Sequence, residues 1–177
     1  MNTQRYYWET FSTLKRDQIY IGLLQEKLDH IERCLSILSA VSASGAIAGW
    51  ALWQHIAFVW AIIIALSQVY GAVKNHLPFG ARLKALHGLY PELESLALEA
   101  ERGWFEVSRG TLSEDEIINL ASSLKQRKIT VTQKHLKDVL APEKAKMVFL
   151  ADVQAKAYLD SFTERDDETA TATANAT

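Results

Sequence analysis

The chain has 177 residues, with 19 lysines and arginines against 21 acidic side chains and a formal charge of −2. That length excludes two enzymatic domains, and the near-neutral balance without a basic stripe argues against nucleic acid as a partner. The single cysteine, Cys34, excludes an intramolecular disulfide and suits a reducing compartment.

Residues 1–33 read as an amphipathic helix. Tyr7, Phe11, Leu14, Ile21, Leu28 and Leu35 recur in steps of four and three, Leu24 and Ile31 widen the face, and Gln18, Gln25 and Glu32 interrupt the seam. This is an imperfect heptad pattern of coiled-coil type. Nothing breaks it before the next segment, so one helix is expected from about Tyr6 to Trp53, roughly 70 Å at 1.5 Å per residue.

Residues 34–73 then run for forty positions without Asp, Glu, Lys or Arg, in a chain that is 23% charged. A bilayer core takes about 20 apolar residues per helix, so the run is expected to form a transmembrane hairpin within residues 34–75, with spans over about 34–53 and 56–73. Gln54 and His55 mark the turn. Serines 36, 39, 42 and 44 soften the first span, and their hydroxyls can bond back to a carbonyl one turn earlier. A buried helical hairpin inside a soluble bundle is the alternative. Arg33 and Lys74 flank the run, Lys27, Arg82 and Lys84 lie close by, and the turn has no basic residue. The positive-inside rule then places both termini in the cytoplasm, the protein being multi-pass in the inner cell membrane. Trp50, Trp53 and Trp60 around the turn and Tyr70 near the other edge are expected interfacial anchors, alongside Arg33 and Lys74. The N-terminus lacks the apolar core and cleavage site of a signal peptide.

Residues 76–162 are expected to form a cytoplasmic helical region. Leu77-Pro78-Phe79-Gly80 should break the chain just inside the membrane. Beyond it Leu83, Leu86, Tyr90, Leu93, Leu96 or Ala97, and Ala100 form a second apolar stripe, which Pro91 should kink or restart. The two legs predict an antiparallel stalk. Neither seam is rich enough to bury itself in a lone pair, which favours further subunits sharing the seams. Ser113 and Glu116 form a capping box that opens a helix to about Lys128, and Thr132 should cap another to Leu140. Pro142 precedes a third that ends near Phe162, and residues 163–177 are expected to be a disordered tail.

The search for chemistry finds no glycine-rich phosphate loop, nucleophile elbow or paired-cysteine metal signature. Glu26 and His30 stand four residues apart, a metal-compatible spacing that without further ligands reads as a solvated face. No enzyme, cofactor or metal is expected. The patterned residues lie in the hairpin instead. Ser39, Ser42, Ala46 and Gly49 form a small, partly polar stripe overlapped by Gly45, and Ala57, Ala61, Ala65, Gln68 and Ala72 form a second. Small stripes let helices approach closely where lipid supplies no hydrophobic drive. Ser39, Ser42, Gly45, Gly49, Ala57, Ala61, Ala65 and Gln68 are thus the candidate packing or pore-lining set. Gln68, roughly 9 Å inside the membrane edge, needs a hydrogen-bonding partner or water. Homo-oligomers are the expected consequence.

The long helix from Trp8 to Arg33, the charge-free hairpin, Lys74-Asn-His-Leu-Pro78 and the stretch opening Trp104-Phe105 together resemble the SLATT-type two-span effectors of bacterial defence, over roughly residues 5–140. That family is named for its association with nucleotide-second-messenger synthases and nucleotide-sensing domains. The resemblance implies an all-α membrane protein that assembles and compromises the bilayer when a cytoplasmic partner, carrying the sensor or synthase, signals infection. The competing expectation is a membrane-anchored scaffold or accessory subunit that recruits a cytoplasmic protein and does not conduct.

Overall fold

The computed structural model describes residues 3–45, 79–137 and 144–174, together with 58, 61, 62, 65, 66, 68 and 69. Among these the fold is all-α, without strands. Helix α1 spans Thr3–Gly45, α2 Phe79–Ser108, α3 Glu114–Leu136 and α4 Ala145–Ala174. The chain divides into two compact units, one of Met1–Leu24 with Ala85–Thr177, the other of Gln25–Lys84.

In the first unit, α1 and α2 run antiparallel. Gln4 Nε2 donates to the Val107 carbonyl at 3.3 Å, Tyr7 Oη to that of Ala100 at 2.9 Å, and Gln18 Nε2 to Tyr90 Oη at 3.1 Å, so position falls on α2 as it rises on α1. Helix α3 is antiparallel to α2, joined by Arg127 to Glu99 and by Lys134 and His135 to Glu92. Helix α4 is antiparallel to α1, through the Lys144 N–H on Tyr20 Oη and the Lys15 ammonium over the Tyr158 ring. The result is an up-down-up-down arrangement in which α3 and α4 both lie on the α1–α2 pair.

The predicted seams are the core. Tyr7, Phe11, Leu14, Gln18, Ile21 and Leu24 are buried on α1, and Leu86, Leu93, Leu96, Ala97 and Ala100 on α2. Both seams looked too poor for a lone pair, and within this unit they are completed by the chain itself. Ile117, Ala121 and Leu124 of α3 and Met147, Ala151, Ala155 and Leu159 of α4 are buried with them. The deficit that pointed to further subunits is met inside one chain. Aromatic side chains close one end: Trp104 lies 4.6 Å from Trp8 and 6.5 Å from Tyr7, and Phe162 of α4 meets Phe11, Phe105 and Tyr158 at 5.4–6.1 Å between centroids.

Two helix boundaries differ from expectation, and of the two outcomes expected at Pro91 the restart does not occur, the proline sitting inside α2. An interior proline costs about 3 kcal/mol, but Leu89 and Leu93 on either side are 1% and 2% exposed, and burying each contributes about 1.5–3 kcal/mol. Thr132 does not cap a helix, because α3 continues past it to Leu136. No Gly or Pro interrupts that stretch, and Thr130 bonds its hydroxyl back to the Gln126 carbonyl at 3.0 Å, which leaves the helix ladder intact. Helix α4 carries on beyond Phe162 to Ala174, through most of the segment expected to be a tail. No Gly or Pro in that segment stops the helix, although its four threonines and two aspartates are weak helix formers.

The start of α3 agrees with the sequence. Ser113 Oγ accepts from the Glu116 N–H at 3.4 Å, and Glu116 Oε2 accepts from the Ser113 N–H at 2.8 Å, completing the capping box. That backbone donor, with the Ser113 hydroxyl, holds the Glu116 carboxyl below its usual range. Gly110, at φ +68°, ends the preceding helix with its N–H on the Val107 carbonyl at 3.1 Å, a left-handed position that glycine takes without strain.

In the second unit, α1 continues unbroken from Gln25 through Cys34 to Gly45, as the uninterrupted seam predicted. Phe58, Ala61, Ile62, Ala65, Leu66, Gln68 and Val69 are also helical. No helix among the described residues is long and apolar enough to cross a membrane. Residues 46–57 and 70–78, which hold much of the expected hairpin, lie outside the described set.

Candidate functional site

The candidate set lies in the second unit, and the structure places part of it. Ser39, Ser42 and Gly45 are helical residues of α1. Ala61, Ala65 and Gln68 are helical and exposed. Gly49, Ala57, Trp50, Trp53, Trp60, Tyr70 and Lys74 lie outside the described residues. Arg33 is on α1 and exposed.

At the 100° per residue of an α-helix, the spacing of Ala61, Ala65 and Gln68 corresponds to one arc and that of Phe58, Ile62, Leu66 and Val69 to the arc beside it. All seven side chains are exposed. Phe58 is 77% exposed, Ile62 43%, Leu66 59% and Val69 61%. Such side chains contribute about 1.5–3 kcal/mol each when fully buried, so leaving four in water forgoes free energy comparable to a small domain's whole stability. Apolar side chains exposed together in this way are a surface suited to lipid or protein. The small-residue arc and Gln68 stand beside that face, where a second helix can approach.

Glu26 and His30 are both exposed on α1. His30 Nε2 lies 3.7 Å from Cys34 Sγ, one turn on, and both side chains are exposed. Among the described residues no three of His, Cys, Asp and Glu converge on a point that could hold a metal.

The first unit carries polar clusters that sequence spacing did not mark. Glu92 Oε1 accepts from Lys134 Nζ at 2.6 Å and lies 2.9 Å from His135 Nε2, and these hydrogen bonds, Lys134's first, hold the Glu92 carboxyl below its ordinary range. The His135 ring lies against Gly88, where an added Cβ would come within 2.6 Å of Cε1, so the absent side chain makes the ring's seat. Tyr158 Oη donates to Glu101 Oε2 at 2.5 Å; burial first, then that carboxylate, pushes the phenol up to about 12. Across α1 and α3, the Lys125 ammonium lies 4.0 Å over the Tyr6 ring and Lys128 pairs with Asp17. Their partners are far apart in sequence, and periodicity on one helix gives no sign of them.

Compared with known proteins, the chain matches no family model, no curated protein and no solved structure.

Proposed function

We propose that the protein is an oligomeric two-span membrane protein whose helical bundle stays in the cytoplasm, and that it acts as a membrane-perturbing effector in bacterial defence. The observation that carries the membrane part is the forty-residue charge-free run at residues 34–73, within which every described helical residue from Phe58 to Val69 is exposed. Hydrocarbon is the environment in which a helix bare on adjoining apolar faces costs nothing. The small-residue arc of Ala61, Ala65 and Gln68 supports assembly, since close approach and a shared amide hydrogen bond are the available drives for helix association in lipid. The effector part rests on the resemblance to the SLATT-type proteins.

Membrane potential, followed with a voltage-sensitive dye after induction in bacteria, tests the reading, with carbonate extraction beside it. Retention in the carbonate pellet together with depolarisation is the expected result. Release by carbonate would overturn the membrane reading. Retention without depolarisation, even with an infecting phage supplied as trigger, would replace the effector by an anchor that recruits a cytoplasmic partner.

A further inference from the structure

The packed unit has a cleft of about 460 Å³ between α1 and α3, within the range of about 300–1,000 Å³ that small-molecule sites occupy. Its floor is apolar. Leu14 and Leu124 line it at 2% and 1% exposure, and Ile129 extends the same surface toward solvent at 49%. Tyr6 forms one wall.

The charges around the mouth leave one cation over. Glu9 is met by Arg5 Nε at 3.1 Å, and Lys128 is met by Asp17. Among the described residues no carboxylate lies within ion-pair reach of Lys125, whose ammonium is held 4.0 Å over the Tyr6 ring. That contact fixes the ammonium at the wall without neutralising it. A hydrogen bond from the same ammonium, ahead of its charge, keeps the Tyr6 hydroxyl below its ordinary range, and a neutral phenol leaves that charge uncancelled. Thr10 and Thr13 spend their hydroxyl protons on the Tyr6 and Glu9 carbonyls, at 2.9 and 2.8 Å, so they offer an incoming group only lone pairs. Lys125 is therefore the anchor for an anion, and a single free cation among the described lining residues, with Glu9 on the same cleft, favours one negative charge over two.

We infer that this cleft binds a small amphipathic monoanion, its flat apolar body against Leu14, Leu124 and the Tyr6 ring and its charged end on Lys125. The inference rests on the packed unit alone and stands whether or not the chain enters a membrane.

The probe is 2-naphthoate, with the uncharged 2-naphthylmethanol as its control. Binding is measured by equilibrium dialysis against the purified full chain in a neutral detergent, with protein-free detergent as background. One saturable site is expected for the carboxylate, binding at least about tenfold more tightly than the alcohol, as a charge-assisted hydrogen bond provides. Lys125→Met should weaken the carboxylate about tenfold and leave the alcohol unchanged, and Lys125→Arg should restore most of the loss. Thr13→Trp, an exposed substitution at the mouth, should abolish both while helicity and thermal midpoint stay at wild-type values. Absence of saturable binding above background, equal affinity for acid and alcohol, or binding indifferent to both Lys125→Met and Thr13→Trp would each overturn the assignment.

Discussion

Tyr7 is a fully buried phenol whose hydroxyl donates to a backbone carbonyl, Ala100 O, at 2.9 Å. Burial, reinforced by Glu99 and Glu106, pushes its ionisation well above the ordinary phenol range. A folded-state pKa raised in this way contributes stability that is complete below pH 10 and is lost as pH rises toward the folded value. Tyr7→Phe should cost about 1 kcal/mol at pH 7, and urea midpoints should show that difference closing by pH 11. Gly103 faces the same hydroxyl. A Cβ there would stand 2.2 Å from Tyr7 Oη and 3.1 Å from Leu120 Cδ2, so Gly103→Ala must displace a ring that has nowhere to go. Gly103→Ala should destabilise by about 1–3 kcal/mol, and adding Tyr7→Phe should recover part of that loss. Simple additivity of the two in denaturant melts would count against the contact.

Helix α3 illustrates what one element states in sequence and what it conceals. Its start was legible because a capping box is a local device: Ser113 and Glu116 satisfy each other within four residues. Ser113→Ala should cost about 1 kcal/mol, measured as a lowered thermal midpoint. The end was misread because Thr132 is a cap only where the chain leaves helical geometry, and the packed surface keeps it helical. The bridge from α3 to Glu92 was invisible, since it joins α2 and α3 across more than forty positions. Its carboxyl is depressed by Lys134 and His135, so its contribution is present above the unfolded value and fades as pH falls through the folded one. Glu92→Gln should therefore lower the melting temperature near pH 6, and the gap should vanish by about pH 3. The seams are legible as faces over Tyr7–Leu24 of α1 and on α2 because burial follows helical period, while Leu28, Ile31 and Leu35 of the same α1 seam are only half-buried and the completing helices, α3 and α4, follow from no pattern on either seam.

For the whole molecule, the division into two units separates what packing explains from what it does not. The first unit closes its own core. The second leaves Phe58, Ile62, Leu66 and Val69 bare beside a small-residue arc, and that contrast carries the assembly proposal. If the proposed two-span assembly holds, Gly49→Leu should reduce crosslinked oligomers while leaving carbonate resistance unchanged, because a large side chain on the small-residue stripe blocks close approach without adding polarity. Unchanged crosslinking would remove that stripe from the interface.

The indoles of Trp8 and Trp104, 4.6 Å apart, give the bundle an optical signature of its own. Two chromophores that close couple their transitions, and the couplet in circular dichroism depends on distance and mutual angle. Trp50, Trp53 and Trp60 sit in the charge-free run, where a brominated acyl chain would quench them if the run is embedded. One sample thus holds two separable light signals, one reporting the seam between α1 and α2 and the other the surroundings of the charge-free run. Any change that loosened the bundle would erase the couplet while leaving the second signal in place.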